Sequence, residues 1–105
     1  MSHSKYLDNL SAEEKNVLRA KLCGIQNHQC FICEKEIVLD LNSVNIDHIK
    51  PLANGGKDEE QNFALTHETC NKKKQDADLF IAKKLCQLEE IISNANVKKE
   101  IPSLK

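Results

Sequence analysis

The sequence predicts a small α+β domain in which a β-hairpin and a metal-binding knuckle are flanked by an N-terminal and a C-terminal helix. Three observations predict it. A capping box opens a helical stripe near residue 11, two short β-prone runs surround the mostly polar turn 40–43, and a Cys-x-x-Cys pair at 30–33 is answered by His-x-x-Cys at 67–70. At 105 residues the chain suits one domain with a modest core; it holds no Trp, three Phe and one Tyr, so a stabilising staple is expected.

The N-terminal helix follows from Ser11-Ala12-Glu13-Glu14, where the Ser hydroxyl can accept from the Glu14 amide while the Glu14 carboxylate reaches back. Leu10, Val17, Leu18 and Leu22 fall on one helical face and Gly24 suits the left-handed residue that ends a helix, which places the element at about 11–23. Glu36 to Leu39 and Val44 to Asp47 read as the two strands of the hairpin. Lys50-Pro51, Asn54-Gly55-Gly56 and the polar run 57–61 make 49–61 a loop, with the two glycines as turn residues.

Phe63-Ala64-Leu65 and the Lys-rich stretch after Cys70 complete a core segment at 30–75, the latter suiting an exposed helix. Ala77, Ile81, Leu85, Leu88 and Ile92 then recur as the stripe of an amphipathic helix at about 76–93 that packs on the core. The stripe lapses over 94–105, which contains Pro102 and reads as a frayed tail or the start of a connection. The expectation is one domain over 1–105.

A formal net charge of -1 gives no globally basic field, so any affinity for nucleic acid must be local. Lys72, Lys73 and Lys74 form the dense positive run, and Asp58, Glu59 and Glu60 the acidic one. No window reaches the ~18 apolar residues of a membrane span, and the polar start from Met1 to Leu10 lacks the apolar region of a signal peptide, so a soluble cytoplasmic protein is expected. Five cysteines in such a chain point to metal or redox chemistry before a disulfide framework.

Cys30, Cys33, His67 and Cys70 repeat a spacing that lets each pair aim at one ion, and three thiolates with one imidazole are the donor set of a closed structural zinc site. Two other readings stand beside it: Cys30 and Cys33 as a redox pair or buried thiols, and His28 in place of His67 as the fourth ligand, a more awkward approach. Cys23 and Cys86 fall at helical core positions and read as small buried hydrophobes.

Between Cys33 and His67 the knuckle carries a long insertion that holds Asp47-His48-Ile49, Pro51, Gly55-Gly56 and Asn62. Adjacent residues on a strand point to opposite faces, so Asp47 can hold a cation while His48 addresses a neighbouring water. In this insertion the sequence resembles the His-Asn-His endonucleases, in the branch that carries paired cysteine elements around the active site. The matched run is Asp47-His48-Ile49-Lys50-Pro51, Gly55-Gly56, Asn62-Phe63-Ala64-Leu65 and Cys70-Asn71-Lys72-Lys73-Lys74, in order within 30–74.

That resemblance implies a ββα-metal core, a β-hairpin followed by a helix gripping one metal. It implies His48 as general base, Asp47 and Asn71 as metal ligands, Asn62 as the residue that holds the catalytic loop, and Lys74 at a commonly basic position; Lys72, Lys73 and Lys74 read equally as a solvated helix face or as contacts to the phosphate backbone. It also implies hydrolysis of nucleic acid, DNA above all, to 5′-phosphate and 3′-hydroxyl ends. This chain departs from the pattern with Asn71 where the third family letter is His, and with His67 where Cys is usual. The hard oxygen donors of Asp47 and Asn71 favour Mg2+ or Mn2+ over zinc at the second site.

A second function class fits the same residues: a zinc-bearing module that binds nucleic acid or a partner protein without cutting. Asp47, His48 and Asn71 argue against a decayed site. Near-neutral charge leaves affinity to a homodimer, a fused recognition domain or a targeting partner.

Overall fold

Ser11 opens the main N-terminal helix through the reciprocal cap that its sequence predicts: the Ser11 hydroxyl accepts from the Glu14 amide at 3.1 Å and the Glu14 carboxylate accepts from the Ser11 amide at 2.8 Å. The computed structural model describes residues 4–74 and 77–103. The elements run α1 (Lys5–Asp8), α2 (Ala12–Ile25), β1 (Val44–His48), β2 (Phe63–His67), α3 (Glu68–Lys74) and α4 (Leu79–Ser103), with short 3-10 turns at Leu52–Asn54 and Glu60–Asn62.

The helix α2 runs two residues past its expected end because Gly24 stays helical; the left-handed positions are Asn27 and His28, with φ of 55° and 60°. Its buried face is Leu18, Leu22 and Cys23, with Leu10 packed beside them, while Val17 is 69% exposed and not part of that face. The next residue, Gln26, uses its side-chain amide as a strand would use its backbone. Its Oε1 accepts from the Leu65 amide at 2.7 Å and its Nε2 donates to the Leu65 carbonyl at 2.9 Å, which ties α2 to the centre of β2.

The hairpin is built from different segments than expected. β1 pairs antiparallel with β2, from Val44 opposite His67 to His48 opposite Phe63, and not with 36–39. Glu36 instead forms an isolated bridge with Gln29, and the Ile37 amide donates to the His28 carbonyl at 2.7 Å, so this run closes the knuckle turn. After it the chain turns at once, with the Leu41 and Asn42 amides both on the Val38 carbonyl. The physical reason is burial. Phe63, Ala64, Leu65 and Thr66 are all buried, whereas of the 36–39 run only Ile37 is. A two-stranded sheet this small gains more by pairing β1 with the fully buried run.

α4 meets the core along Leu79 and Ala82, with Cys86 half-buried one turn on. The expected stripe does not face the core: Ile81, Leu85, Leu88 and Ile92 are 51–57% exposed, since the buried side is set by Leu79 and is rotated away from them. The helix also continues to Ser103, beyond the expected end at 93. Its expected start at residue 76, and the last two residues of the expected tail, lie outside the described residues. No helix among the described residues is long and apolar enough to cross a membrane.

Candidate active site and metal centre

The bridge of 28–30 with 35–37 bends Cys30 to Cys33 into a tight turn in which the Glu34 amide donates to the Cys30 carbonyl at 3.0 Å and Glu34 takes φ of 64°. His67 ends β2 and Cys70 lies in the first turn of α3. These four residues bring one donor atom each to within 4.8 Å of one another. His67 Nδ1 lies 3.3 Å from Cys33 Sγ and 4.0 Å from Cys70 Sγ. A tetrahedral zinc ion with ordinary Zn–S and Zn–N lengths sets that separation at about 3.6 Å, so the donor set fits zinc.

Neighbouring groups prepare these donors. His67 Nε2 lies 3.1 Å from the Glu36 carbonyl; a hydrogen there donates to that oxygen and leaves the Nδ1 lone pair for a metal. The amides of Ile32 and His67 each donate to Cys30 Sγ at 3.4 Å, which fixes the sulfur's position in the group. Burial first, and then the charge of the neighbouring Cys30, push the Cys70 thiol up to about 12. Burial also raises the Cys33 thiol, so a cation beside these two thiols offsets the cost of ionising them. His28, the other candidate ligand, instead sets Nδ1 3.2 Å from Cys23 Sγ, away from this group. All five cysteines are free thiols rather than disulfides.

At the other end of β1, Asp47 and His48 turn to different partners. The Asp47 carboxylate accepts from the His48 amide at 2.8 Å through Oδ1 and holds the Lys74 ammonium at 2.8 Å through Oδ2. Lys74 also donates to the Ala77 carbonyl at 3.2 Å, and only 7% of its side chain is exposed. Asn71 stands three residues before Lys74 on α3, a spacing that puts both on one helical face. Asp47 therefore already holds a cationic group, and the oxygen donors of Asp47 and Asn71 suit a hard divalent ion. Lys72 and Lys73 are exposed, Lys72 pairing with Glu68 at 3.0 Å.

His48 is 9% exposed, its ring edge-on to Phe63 at 5.2 Å, and its Nε2 lies 2.9 Å from Asp58 Oδ1. The sequence marks Asp58 only as one of the three acidic residues 58–60 and gives no sign of a role at this site. Hydrogen bonds from Ser4, then from the Tyr6 amide and His48, hold its carboxyl down at about 2. An ionised carboxylate only accepts, so His48 Nε2 carries the hydrogen and Nδ1 is the nitrogen with a free lone pair when the ring is neutral. The one signal that marks Asp58 is its place four residues before Asn62, at the end of the loop that Asn62 closes.

Asn62 ties that loop. Its Oδ1 accepts from the Lys50 amide at 3.0 Å, and its Nδ2 donates to the carbonyls of Lys50 at 2.9 Å and Lys57 at 2.8 Å. The Ile49 amide donates to the Asn62 carbonyl at 2.7 Å. Gly56 is needed where it passes Lys50, because a Cβ there falls 1.9 Å from the Lys50 carbonyl oxygen.

Residues 30–77 match the family model described as HNH endonuclease. Among solved structures the chain is similar to the type II-C Cas9 enzyme from Actinomyces naeslundii, with a TM-score of 0.58 and 22% identity. That similarity covers 78% of this chain and 8% of that one, so the chain spans a small part of its structural neighbour. No curated protein matches the chain at a significant level. The cysteine knuckle, the α+β core and the run from Asp47 to Lys74 together make residues 30–77 a domain of the HNH endonuclease family.

Proposed function

We propose that this domain hydrolyses phosphodiester bonds of nucleic acid, DNA in particular, with His48 as general base and one Mg2+ or Mn2+ held by Asp47 and Asn71. One observation carries the reading: on adjacent residues of β1, the His48 ring is held by a carboxylate while the Asp47 carboxylate holds a cation. When bound, the divalent ion supplies charge neutralisation at the scissile phosphate and at the leaving 3′ oxygen. Neutral His48 takes the proton of the attacking water at Nδ1, the nitrogen that Asp58 leaves bare.

Asn62 keeps the 50–57 loop closed beside that ring, and the exposed Lys72 and Lys73 offer ammonium groups to the phosphate backbone. Zinc at Cys30, Cys33, His67 and Cys70 fixes the start of α3 and, through the Cys70-Asn71 peptide bond, the metal ligand Asn71. With a net charge of -1 the chain depends for affinity on a second copy, a fused recognition domain or a targeting partner.

The test is plasmid DNA incubated with the zinc-loaded protein and Mg2+ or Mn2+, beside His48→Ala. Metal-dependent nicking that falls by about 10²-fold or more in the variant is expected. Binding without nicking, equal in both proteins, overturns the reading in favour of a zinc-bearing binding module.

A further inference from the structure

We propose that Asp58, anchored by the N-terminal residues Ser4 and Tyr6, is the positioning residue that fixes the His48 imidazole in its proton-accepting tautomer. The inference rests on the reading of His48 as general base, but concerns residues to which that reading gives no role, and two of them, Ser4 and Tyr6, lie outside the family-matched segment.

Every lone-pair direction of the Asp58 carboxylate that the structure uses has a defined donor. Oδ1 accepts from the Ser4 hydroxyl at 2.5 Å and from His48 Nε2 at 2.9 Å, while Oδ2 accepts from the Tyr6 amide at 3.0 Å. Ser4 is itself 8% exposed and locked, since its oxygen also accepts from the Leu7 amide at 3.0 Å. The ring of His48 is held on a second side by the same segment. Tyr6 meets Phe63 edge-on at 5.4 Å, and Phe63 meets His48 at 5.2 Å. The Tyr6 hydroxyl donates to Glu60 at 3.0 Å, and Glu60 also accepts from Lys21 of α2 at 2.8 Å, which secures the ring that backs Phe63.

Two independent contacts thus run from residues 4–6 to one imidazole, one polar through Asp58 and one aromatic through Phe63. A carboxylate that accepts from one ring nitrogen selects the tautomer in which the other nitrogen is bare, the logic by which a buried acid orients a catalytic histidine. Asp58→Asn reverses it by geometry. The Tyr6 amide, a fixed donor, requires the amide oxygen on its own side, so the Asn nitrogen faces His48 Nε2 and donates to it. The hydrogen then moves to Nδ1, and the ring no longer presents an acceptor to water.

The experiment uses the zinc-loaded full chain with 15N-labelled histidine, at a pH where the imidazole is neutral. The 15N shifts of His48 are expected to report Nε2–H in the native protein and Nδ1–H in Asp58→Asn, with kcat falling by about 100-fold and KM nearly unchanged. Ser4→Ala, which keeps the carboxylate but removes its Ser4 donor and the cap of the short helix that carries Tyr6, is expected to broaden the tautomer signals and lower kcat about threefold to tenfold. Native tautomer and native kcat in Asp58→Asn overturn the proposal. Should Asp58→Asn fail to fold, Ser4→Ala alone decides, and native signals there overturn it. The tautomer is read without substrate, so a tautomer change in a protein whose cleavage is insensitive to His48→Ala supports the positioning role and overturns the general-base reading separately.

Discussion

Lys74 sets its ammonium 2.8 Å from the Asp47 carboxylate with only 7% of the lysine side chain exposed. A nearly buried ammonium against a partly buried carboxylate joins the end of α3 to β1, and it lies at the carboxylate proposed to bind the divalent ion. The lysine thus acts as the counter-ion that holds the Asp47 carboxylate in place.

Removal of that ammonium has opposite effects on fold and on metal. Lys74→Met leaves Asp47 without its counter-ion, at a cost of about 1–3 kcal/mol, below the usual figure for a broken buried pair because 26% of the Asp47 side chain is exposed. With the lysine gone, Mg2+ no longer competes for the carboxylate. The expected result is a lower Tm in magnesium-free buffer with zinc retained, and a larger rise in Tm on adding Mg2+ than in the native protein. Equal rises in both proteins would show that Lys74 and the metal do not share Asp47.

The knuckle predicts a second outcome. Cys33→Ser removes one donor from a group that joins the 30–33 turn, the end of β2 and the first turn of α3, so both folding cooperativity and cleavage are expected to be lost. Apparent binding free energies for such structural zinc sites are on the order of 10 kcal/mol, more than a core of this size supplies with ease. Metal analysis should give one zinc per native chain and none in the variant, with Cys86→Ser retaining it. An intact, fully active zinc-free Cys33→Ser protein would break the link.

What the sequence reveals about this molecule depends on whether the signal is local. The Ser11 capping box, the Cys30-x-x-Cys33 turn and the Asp47-His48 pair are short-range patterns, and the structure forms the first two as expected. Strand partnership is a long-range choice. Glu36 to Leu39 has the β-prone composition, yet Phe63 to Thr66 offers the more completely buried run and takes β1. The helical stripe at Ile81, Leu85, Leu88 and Ile92 shows the same limit, since periodicity identifies an apolar face without saying that Leu79 and Ala82 are the side that meets the core. Asp58 was hidden for a related reason. Its partners Ser4 and Tyr6 stand more than fifty residues away, and an acid in a polar loop gives no sign of them.

Acid should expose Asp58. Its carboxyl is held at about 2 against an ordinary 3.8, chiefly by the Ser4 hydroxyl and the Tyr6 amide. Because the folded value is depressed, this group's stabilisation is fully present above about pH 4 and is lost as the pH falls toward 2. Glu60 is lowered in the same sense by Lys21 and Tyr6. Zinc release at low pH affects native protein and variant alike, so the informative quantity is the gap in Tm between native and Asp58→Asn. That gap is expected to be widest above pH 4 and to close toward pH 2; a gap independent of pH would remove Asp58 ionisation from the account.

Asn62 and Gly56 brace one loop by different means, and that predicts how their substitutions combine. Asn62→Ala removes the bonds to the Lys50 amide and to the carbonyls of Lys50 and Lys57, an expected loss of about 1–3 kcal/mol with slower cleavage as the chain next to His48 loosens. Gly56→Ala puts a methyl group 1.9 Å from the Lys50 carbonyl oxygen, a backbone atom that can yield only if the loop opens. Either change releases the same segment, so the second has less left to disrupt. The double variant is therefore expected to lose clearly less stability than the two single losses summed, by about 0.5 kcal/mol or more in chemical denaturation. Additive losses would mean that Asn62 and Gly56 hold separate structures, and that the loop beside the base is not one closed unit.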